Sequence, residues 1–205
     1  MSLAVPADLV DPLVLANRIL YDQGVVDGLG HASVRHPTEP GVFLLSCNRA
    51  PGLVRRQDIT CYDFDGNTLS DQKERPYLER FIHAEIYRER PDVMAVVHSH
   101  SPSVIPFAIT HNALKPVFHM SGFLGEGSAH FEIREAGGNT DMLISSSYLG
   151  AALARSLGRH SCVLMRGHGS TVVGTSLQQV VYRAIYAEVN AKLPVSYTHL
   201  RSPRD

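Results

Sequence analysis

The sequence predicts a single domain of the α/β or α+β layered class, with helices and strands interspersed. The chain has 205 residues, which is the size of one large domain. Hydrophobic residues make up 44% of it and charged residues 19%, so the chain can bury a core. Predicted helices and strands follow one another along the whole length, which favours one layered domain over separate all-helical and all-strand domains.

Apolar residues at helical spacing, with start and stop signals, predict five helices. Asp11-Pro12 is typical of a helix start and Gly24 of a helix end. A proline begins the second helix at Pro76, and Arg90-Pro91 ends it. The predicted helices are residues 11–23, residues 76–90, a segment beginning at Ser101, residues 146–157 and residues 176–193.

Short apolar or alternating runs predict the strands. Asp65-Gly66 is a strong two-residue turn signal between a strand and a short return through Thr68-Leu69. Residues 93–97 are too short for a helix and rich in valine, which favours a buried strand. The predicted strands are residues 31–35, 42–46, 59–64, 93–97, 141–144, 162–165 and 171–173.

Composition and charge exclude several classes of function. Lys and Arg number 19 against 20 for Asp and Glu, a formal net charge of -1, which lacks the positive field that nucleic acid or anionic lipid would require. No apolar stretch approaches the length that a membrane span needs. The amino terminus has no export signal, and Cys47, Cys61 and Cys162 form no CxxC pair. We therefore expect a cytoplasmic protein with reduced thiols and no nucleic-acid or membrane partner.

Histidine is the unusual component, with 11 residues. His98 and His100 flank one residue at the end of a predicted strand, where the two-residue period directs both imidazoles to the same side. His168 lies between Gly167 and Gly169, where the backbone can approach closely. Three imidazoles with an open position are typical of a catalytic divalent-metal site. The alternative is that the His-x-His pair is solvated or hydrogen-bonded in a turn.

Two further segments carry candidate acid/base groups. Glu79 and His83 are one helical turn apart, a spacing that suits a metal ligand, an acid or a base, or simply an exposed pair. His119 precedes a glycine-containing stretch that is typical of a mobile loop. Neither segment has the setting of a nucleotide fingerprint, and no nucleophilic serine motif is present.

The order of these motifs resembles the class II aldolase/adducin family. Glu79 and His83 on a helix ending in Arg-Pro-Asp, then Val-Val-His98-Ser-His100, then Arg-Gly-His168-Gly match it over about residues 12–193. The resemblance implies a three-layer αβα fold with a central, mostly antiparallel sheet flanked by helices, over residues 1–193. It also implies a homotetramer with sites at subunit junctions, a divalent metal on His98, His100 and His168, and an acid/base role for Glu79.

Departures from the family pattern point to the substrate. Family members that act on sugar phosphates carry a phosphate-wrapping G-N-x-S turn, a Ser-Gly loop and a Ser-Ser pair. Here these places read Gly30-His31-Ala32-Ser33, Asn48-Arg49 and Tyr77-Leu78, a set better suited to a flat ring bearing carboxylate. We assign substrate binding to His31, Asn48 and Arg49, with Arg49 alternatively a salt-bridge residue and His31 alternatively a cap of backbone groups.

The local sequences around Glu79, His98 and His119 resemble those of the decarboxylase branch of the family, which acts on dihydroxyphthalate and on hydroxymethylpyridine dicarboxylate. We therefore expect a metal-dependent carbon–carbon lyase that decarboxylates a hydroxylated aromatic dicarboxylate, with Glu79 as the first and His119 as the second candidate acid. All-imidazole ligation suits Zn or Mn, and also Co or Fe.

Two alternatives remain: an aldolase or epimerase acting on a sugar or sugar phosphate, and a metal-free, adducin-like binding module. The last residues, 194–205, do not continue the helical pattern and are interpreted as a non-native tail, so His199 is excluded from every site argument.

Overall fold

Seven strands form one sheet with helices on both faces. The structure is a computed structural model that describes residues 3–70, 74–110 and 112–200, with only the backbone described for residues 195–200. The strands are β1 His31–Arg35, β2 Val42–Ser46, β3 Ile59–Asp63, β4 Ala95–Ser99, β5 Ala129–Phe131, β6 Cys162–Met165 and β7 Gly169–Gly174. The helices are α1 Ala7–Asp22, α2 Arg80–Glu89, α3 Ile105–Thr110, α4 Ile133–Gly137, α5 Ser147–Leu157 and α6 Leu177–Leu200.

The strand order is β3-β2-β1-β4-β7-β6-β5. All neighbouring strands are antiparallel except β5 and β6, which are parallel. The strand β4 therefore lies in the middle of the sheet, between β1 and β7. The predicted mostly antiparallel central sheet is confirmed.

Two separate apolar clusters make the three layers. One packs α1 and α6 on one face of the sheet, and the other packs α2 and α5 on the opposite face. The residues of β4 alternate between them, with Ala95 and Val97 in the first cluster and Val96 in the second. Because side chains alternate along a strand, the next residue, His98, is directed to the face that carries α2.

Two predicted helix starts that precede β4 are wrong by one turn. The first helix begins at Ala7 instead of Asp11, and Pro12 lies inside it at an exposed position. The helix predicted from Pro76 begins at Arg80, because Pro76 instead forms a bridge with Cys47 at the end of β2. This bridge delays the helix, so that Glu79 becomes its N-cap residue.

The region between β4 and α5 differs most from the prediction. Residues 141–144 are not a strand, because the backbone N–H of Ile144 donates to the carboxylate of Glu79 rather than to a neighbouring strand. The strand β5 and the short helix α4 were not predicted at all. The helix predicted from Ser101 begins at Ile105, after a turn.

At the carboxy-terminal end, the final helix was predicted to stop near residue 193. In the structure it continues through Pro194 to Leu200, so the predicted end of this helix is wrong. The remaining residues of the segment that we interpreted as a non-native tail, 201–205, lie outside the described residues. Among the helices that the structure describes, none is both long and apolar enough to cross a lipid bilayer.

The helices α2 and α5 approach so closely at Gly150 that adding one methyl group there should disturb their packing. A Cβ at residue 150 would lie 2.5 Å from the carbonyl oxygen of Phe81 and 2.9 Å from Cγ of Glu85. We expect Gly150→Ala to lower the free energy of unfolding by about 1–3 kcal/mol through overpacking, although alanine at a solvent-exposed helix position would raise it by about 1 kcal/mol. Chemical denaturation measures the change.

Arg155→Ala is the control, because Arg155 is exposed on the same helix; we expect a change within about 0.5 kcal/mol. A Gly150→Ala protein as stable as the unsubstituted one would contradict the close helix contact.

Candidate metal centre and active site

Four side chains converge at one end of β4. Glu79, His98, His100 and His168 each offer one ligand atom, and these atoms all lie within 4.8 Å of one another. The three imidazoles predicted from the sequence are therefore neighbours in space, and Glu79 lies beside them. Such a group of one carboxylate and three imidazoles could hold a metal ion.

The sheet itself brings these residues together. His98 lies in β4 and His100 just beyond its end, while His168 lies in the turn between β6 and β7. Because β4 pairs with β7, with Ser99 opposite Ser170, the turn that carries His168 lies beside the end of β4. A Cβ at Gly169 would overlap the carbonyl oxygen of Ser99, so glycine is required for this close approach.

Glu79 is held by the main chain of another segment. Its Oε1 accepts a hydrogen bond of 2.9 Å from the backbone N–H of Ile144. Its Oε2 is directed to the imidazoles, 3.5 Å from Nε2 of His98 and 3.4 Å from Nε2 of His168. These separations are long for hydrogen bonds, and they leave room for an ion between the ligand atoms.

The buried nitrogen of His98 shows which group this donor set fits. Nε2 of His98 is buried and has no hydrogen-bond partner among the described residues, a costly arrangement for a polar atom. Its Nδ1 contacts Thr171 Oγ1 at 3.4 Å, and Nδ1 of His100 contacts Asp27 Oδ2 at 3.1 Å. With the Nδ1 atoms engaged elsewhere, Nε2 is the free ligand atom of both rings. The donor set therefore fits a divalent cation.

The charge states also suit metal binding. Burial lowers the pKa of His98, although the nearby Glu79 carboxylate opposes this shift, so the ring is neutral and its lone pair is available. Burial alone would raise the pKa of Glu79, but the imidazoles of His98 and His168 outweigh it and hold that pKa well below its usual value. Glu79 is therefore an ionised carboxylate.

Two of the four residues, Glu79 and His100, line a cavity of about 130 Å³. Its lining combines apolar side chains with a few polar ones: Leu29, His31, Asn48, Tyr77, Leu78, Glu79, His100 and Leu143. A second, more open cavity of about 240 Å³ lies on the side of His100 and His168 and is lined also by Met142 and Gly167. Met142 has a φ of 66°, a strained backbone conformation for a residue with a side chain, of the kind that is concentrated at functional sites.

His31, Asn48 and Arg49 are the substrate-binding candidates from the sequence, and the structure brings the first two to one cavity. Both line the smaller cavity. His31 begins β1 directly opposite His98 of β4, so it is a buried strand residue and not a cap of a turn. Arg49 is not among the residues that line the cavity, and its Nε pairs with Asp58 Oδ2 at 2.8 Å. The structure thus gives Arg49 the salt bridge that the sequence had left as its alternative.

His119 is not brought to the four residues within one chain. It is exposed at the start of a short 3-10 segment that packs against α6, on the sheet face opposite to α2. Its ring contacts Phe118. A role for His119 at this centre would require a second copy of the chain.

Sequence reasoning named His31 and His83 but missed Ser33 and Tyr87, the polar residues in contact with them or with each other. His83 is fully buried and does not belong to the metal group; its two nitrogens contact His31 and Ser33, and Ser33 also contacts Tyr87. The signal was present, since His31 and Ser33 share one face of a predicted strand and His83 and Tyr87 one face of a predicted helix. Asp27, which contacts His100, had no signal in the sequence.

Comparisons with known proteins agree with this geometry. The chain is 42% identical over 188 residues to the decarboxylase tropJ of Talaromyces stipitatus, covering 85% of this chain and 71% of that protein. It is 31% identical over 201 residues to a 3,4-dihydroxyphthalate decarboxylase of Arthrobacter keyseri, covering 92% of this chain and 78% of that protein. The predicted similarity to the decarboxylases is therefore confirmed.

The fold is shared with solved aldolase structures. The L-fuculose-1-phosphate aldolase of Thermus thermophilus superposes with a TM-score of 0.78 at 19% identity, covering 98% of this chain and all of that one. The family model of the class II aldolase and adducin N-terminal domain matches residues 11–195 of the sequence. With its αβα layers, its mostly antiparallel sheet and its carboxylate–histidine group, the chain belongs to the class II aldolase and adducin family.

Proposed function

We propose that this protein is a metal-dependent carbon–carbon lyase that decarboxylates a hydroxylated aromatic dicarboxylate of the phthalate or pyridine type. One observation carries the proposal: within the group of Glu79, His98, His100 and His168, Glu79 and His100 line a small cavity with apolar walls. An aromatic ring fits such walls, and its polar substituents can then reach the cluster. The similarity to proteins named decarboxylases supports this choice among the reactions of the family.

The apolar walls distinguish a ring from a sugar phosphate. Tyr77 is buried, while Leu29 and Leu78 are exposed at the cavity, so an aromatic substrate would cover apolar surface on binding. Places that carry a Ser-Gly loop and a Ser-Ser pair in the family's phosphate sites hold Asn48-Arg49 and Tyr77-Leu78. A tetrahedral dianion finds fewer hydroxyl donors there.

A divalent cation held by His98, His100 and His168, with Glu79 beside it, would supply positive charge that stabilises the negative charge developing next to the breaking bond. Imidazole nitrogens suit zinc and manganese, and also cobalt or iron. We propose zinc or manganese as the ion of this site.

Glu79 is the group that moves the proton. As an ionised carboxylate it first accepts the proton of the substrate hydroxyl. Carbon dioxide then leaves, and the electron pair of the broken carbon–carbon bond stays on the ring carbon. Glu79 gives the proton to that carbon, which restores the Glu79 carboxylate. The product leaves as a phenolate and takes its proton from water. The hydrogen bond from the N–H of Ile144 holds Oε1, so Oε2 is the atom that exchanges the proton.

The second carboxylate of the substrate is assigned to His31 and Asn48, which line the cavity. Arg49 adds positive charge nearby, although its Nε pairs with Asp58. We also propose a cytoplasmic homotetramer with its sites at subunit junctions. In such an assembly, His119 of a neighbouring chain is the second candidate acid.

His98→Ala tests the metal centre. We expect the variant to lose bound zinc and manganese, because His98 is the one fully buried imidazole of the group and its removal leaves the other ligands with an open cavity. Elemental analysis after loading and dialysis measures the metal content. His160→Ala is the control, since His160 is exposed and outside the group. A stoichiometric metal retained by His98→Ala would overturn the ligand set.

Glu79→Gln tests the proton carrier. The amide oxygen can still accept from the Ile144 N–H, but the side chain cannot carry the proton, so we expect the release of carbon dioxide from 3,4-dihydroxyphthalate to fall by about 10²–10⁴-fold. The matched control is Glu85→Gln, because Glu85 is buried on the same helix but pairs with Arg88. Undiminished turnover by Glu79→Gln would remove Glu79 from this role.

A second assay distinguishes the aldolase reaction from the decarboxylation. Incubating the unsubstituted protein with fuculose and ribulose phosphates, and measuring the aldehyde released, tests the aldolase function. Aldehyde from these sugars together with no carbon dioxide from hydroxylated phthalates would favour the aldolase over the decarboxylase.

A further inference from the structure

A chain of buried hydrogen bonds runs from the core to the cavity. The Tyr87 hydroxyl lies 2.7 Å from Ser33 Oγ, and Ser33 Oγ lies 2.6 Å from Nδ1 of His83. Nε2 of His83 in turn lies 2.7 Å from Nδ1 of His31, and His31 lines the cavity beside Glu79. All four residues are nearly inaccessible to solvent, so no water competes for these contacts.

The chain has a direction, because a neutral imidazole carries one N–H and one lone pair. Burial, with a smaller effect of His98, lowers the pKa of His83 to about 3, so this ring is neutral near neutral pH. His83 therefore donates at one nitrogen and accepts at the other. Either it donates to His31 and accepts from Ser33, or it accepts from His31 and donates to Ser33.

Tyr87 decides between these two directions. Its hydroxyl contacts Ser33 Oγ and also the backbone of Val96, which opposes the rise that burial causes in the pKa of Tyr87, as a backbone N–H donor does and a carbonyl acceptor does not. A buried phenol whose proton finds no acceptor is destabilising, and of these two partners Ser33 Oγ is the one that can accept it. Tyr87 therefore donates to Ser33, and Ser33 donates to Nδ1 of His83. His83 then donates from Nε2 to Nδ1 of His31. Every donor in the chain has an acceptor only in this direction.

The direction determines the state of His31. Its Nδ1 accepts from His83, so its single proton is on the other ring nitrogen, Nε2, which we infer meets the cavity that His31 lines. The ring is held on both sides, by Tyr77 at 4.3 Å between centroids and by His98 at 5.3 Å. Tyr87 is fixed as well, since Arg35 donates to its carbonyl oxygen and lies over its ring.

We propose that Tyr87, Ser33 and His83 are positioning residues that hold His31 as an Nε2–H hydrogen-bond donor, so that this end of the cavity binds a substrate group with an acceptor oxygen, such as a carboxylate. The assignment of a carboxylate rests on the proposed function, whereas the direction of the chain does not. A substrate hydroxyl that must donate its proton is disfavoured at this position.

The first test reads the protons directly. Two-bond ¹H–¹⁵N spectra of histidine-labelled, zinc-loaded protein distinguish the Nε2–H from the Nδ1–H form, and the signals missing in His31→Gln and His83→Gln assign the two rings. We expect both rings in the Nε2–H form. Tyr87→Phe removes the donor that sets the direction, so we expect the Nδ1–H form to gain population at both rings. An Nδ1–H form of His31 in the unsubstituted protein would overturn the proposal.

The second test compares two replacements of His31. Glutamine places an amide N–H near the position of Nε2, whereas asparagine reaches only the position of Nδ1. We expect His31→Asn to raise the Kd of phthalate, measured by calorimetry on the zinc-loaded protein, by about tenfold or more, which is the loss of one hydrogen bond to a charged acceptor. We expect His31→Gln to change it by less than about threefold.

These outcomes separate this inference from the proposed function. Equal weakening by both replacements, or no binding of phthalate at all, would contradict the donor role. Should no carbon dioxide be released from hydroxylated phthalates while the Nε2–H form and the Asn–Gln difference are both found, the proposed decarboxylation fails and the positioning chain stands.

Discussion

The structure depends on keeping one buried nitrogen, Nε2 of His98, facing three other ligand atoms. The nitrogen lies in the central strand of the sheet, where burial prevents water from satisfying it. Its neighbours arrive from three separate parts of the chain: the turn before β7, the segment after β4 and the start of α2. Antiparallel pairing between β4 and β7 fixes the position of the turn that carries His168. A slip of β4 by one residue would direct His98 into the opposite apolar layer.

The helix α2 positions Glu79, the carboxylate of the group. Glu79 is its N-cap residue, so any movement of the helix moves the carboxylate. The helix packs against α5 at Gly150, where a Cβ would lie 2.5 Å from the carbonyl oxygen of Phe81. Its buried face carries His83 and Tyr87, which belong to the hydrogen-bonded chain behind His31. One helix thus positions both Glu79 and the residues that contact His31. Its packing against the sheet therefore determines the distance between Glu79 and His31.

Much of this arrangement was predictable from sequence, for identifiable reasons. The period of two in β4 and the glycines around His168 are local signals, and they led to the prediction that the three imidazoles meet, as they do in the structure. The position of Glu79 at the start of its helix was harder to predict. The helix starts after the bridge between Pro76 and Cys47, a pairing that no local pattern indicates. The strand predicted at residues 141–144 failed for a related reason, since the N–H of Ile144 bonds to a side chain distant in sequence. Arg49 shows the same limit: its charge was apparent, but its pairing with Asp58 was not.

Charge explains why the cavity needs both its cation site and its neutral donors. The ionised Glu79 makes the cluster negative when the three imidazoles are neutral, and a dicarboxylate would be repelled from it. A divalent ion would outweigh the single charge of Glu79, so the same cluster would then attract a carboxylate while Glu79 stays ionised and able to accept a proton. At the other end, burial lowers the pKa of His31 well below its usual value, so that this ring can bind an anion only as a neutral donor. The hydrogen-bonded chain to Tyr87 supplies that donor without adding a buried charge, whose desolvation would cost more than the hydrogen bond contributes.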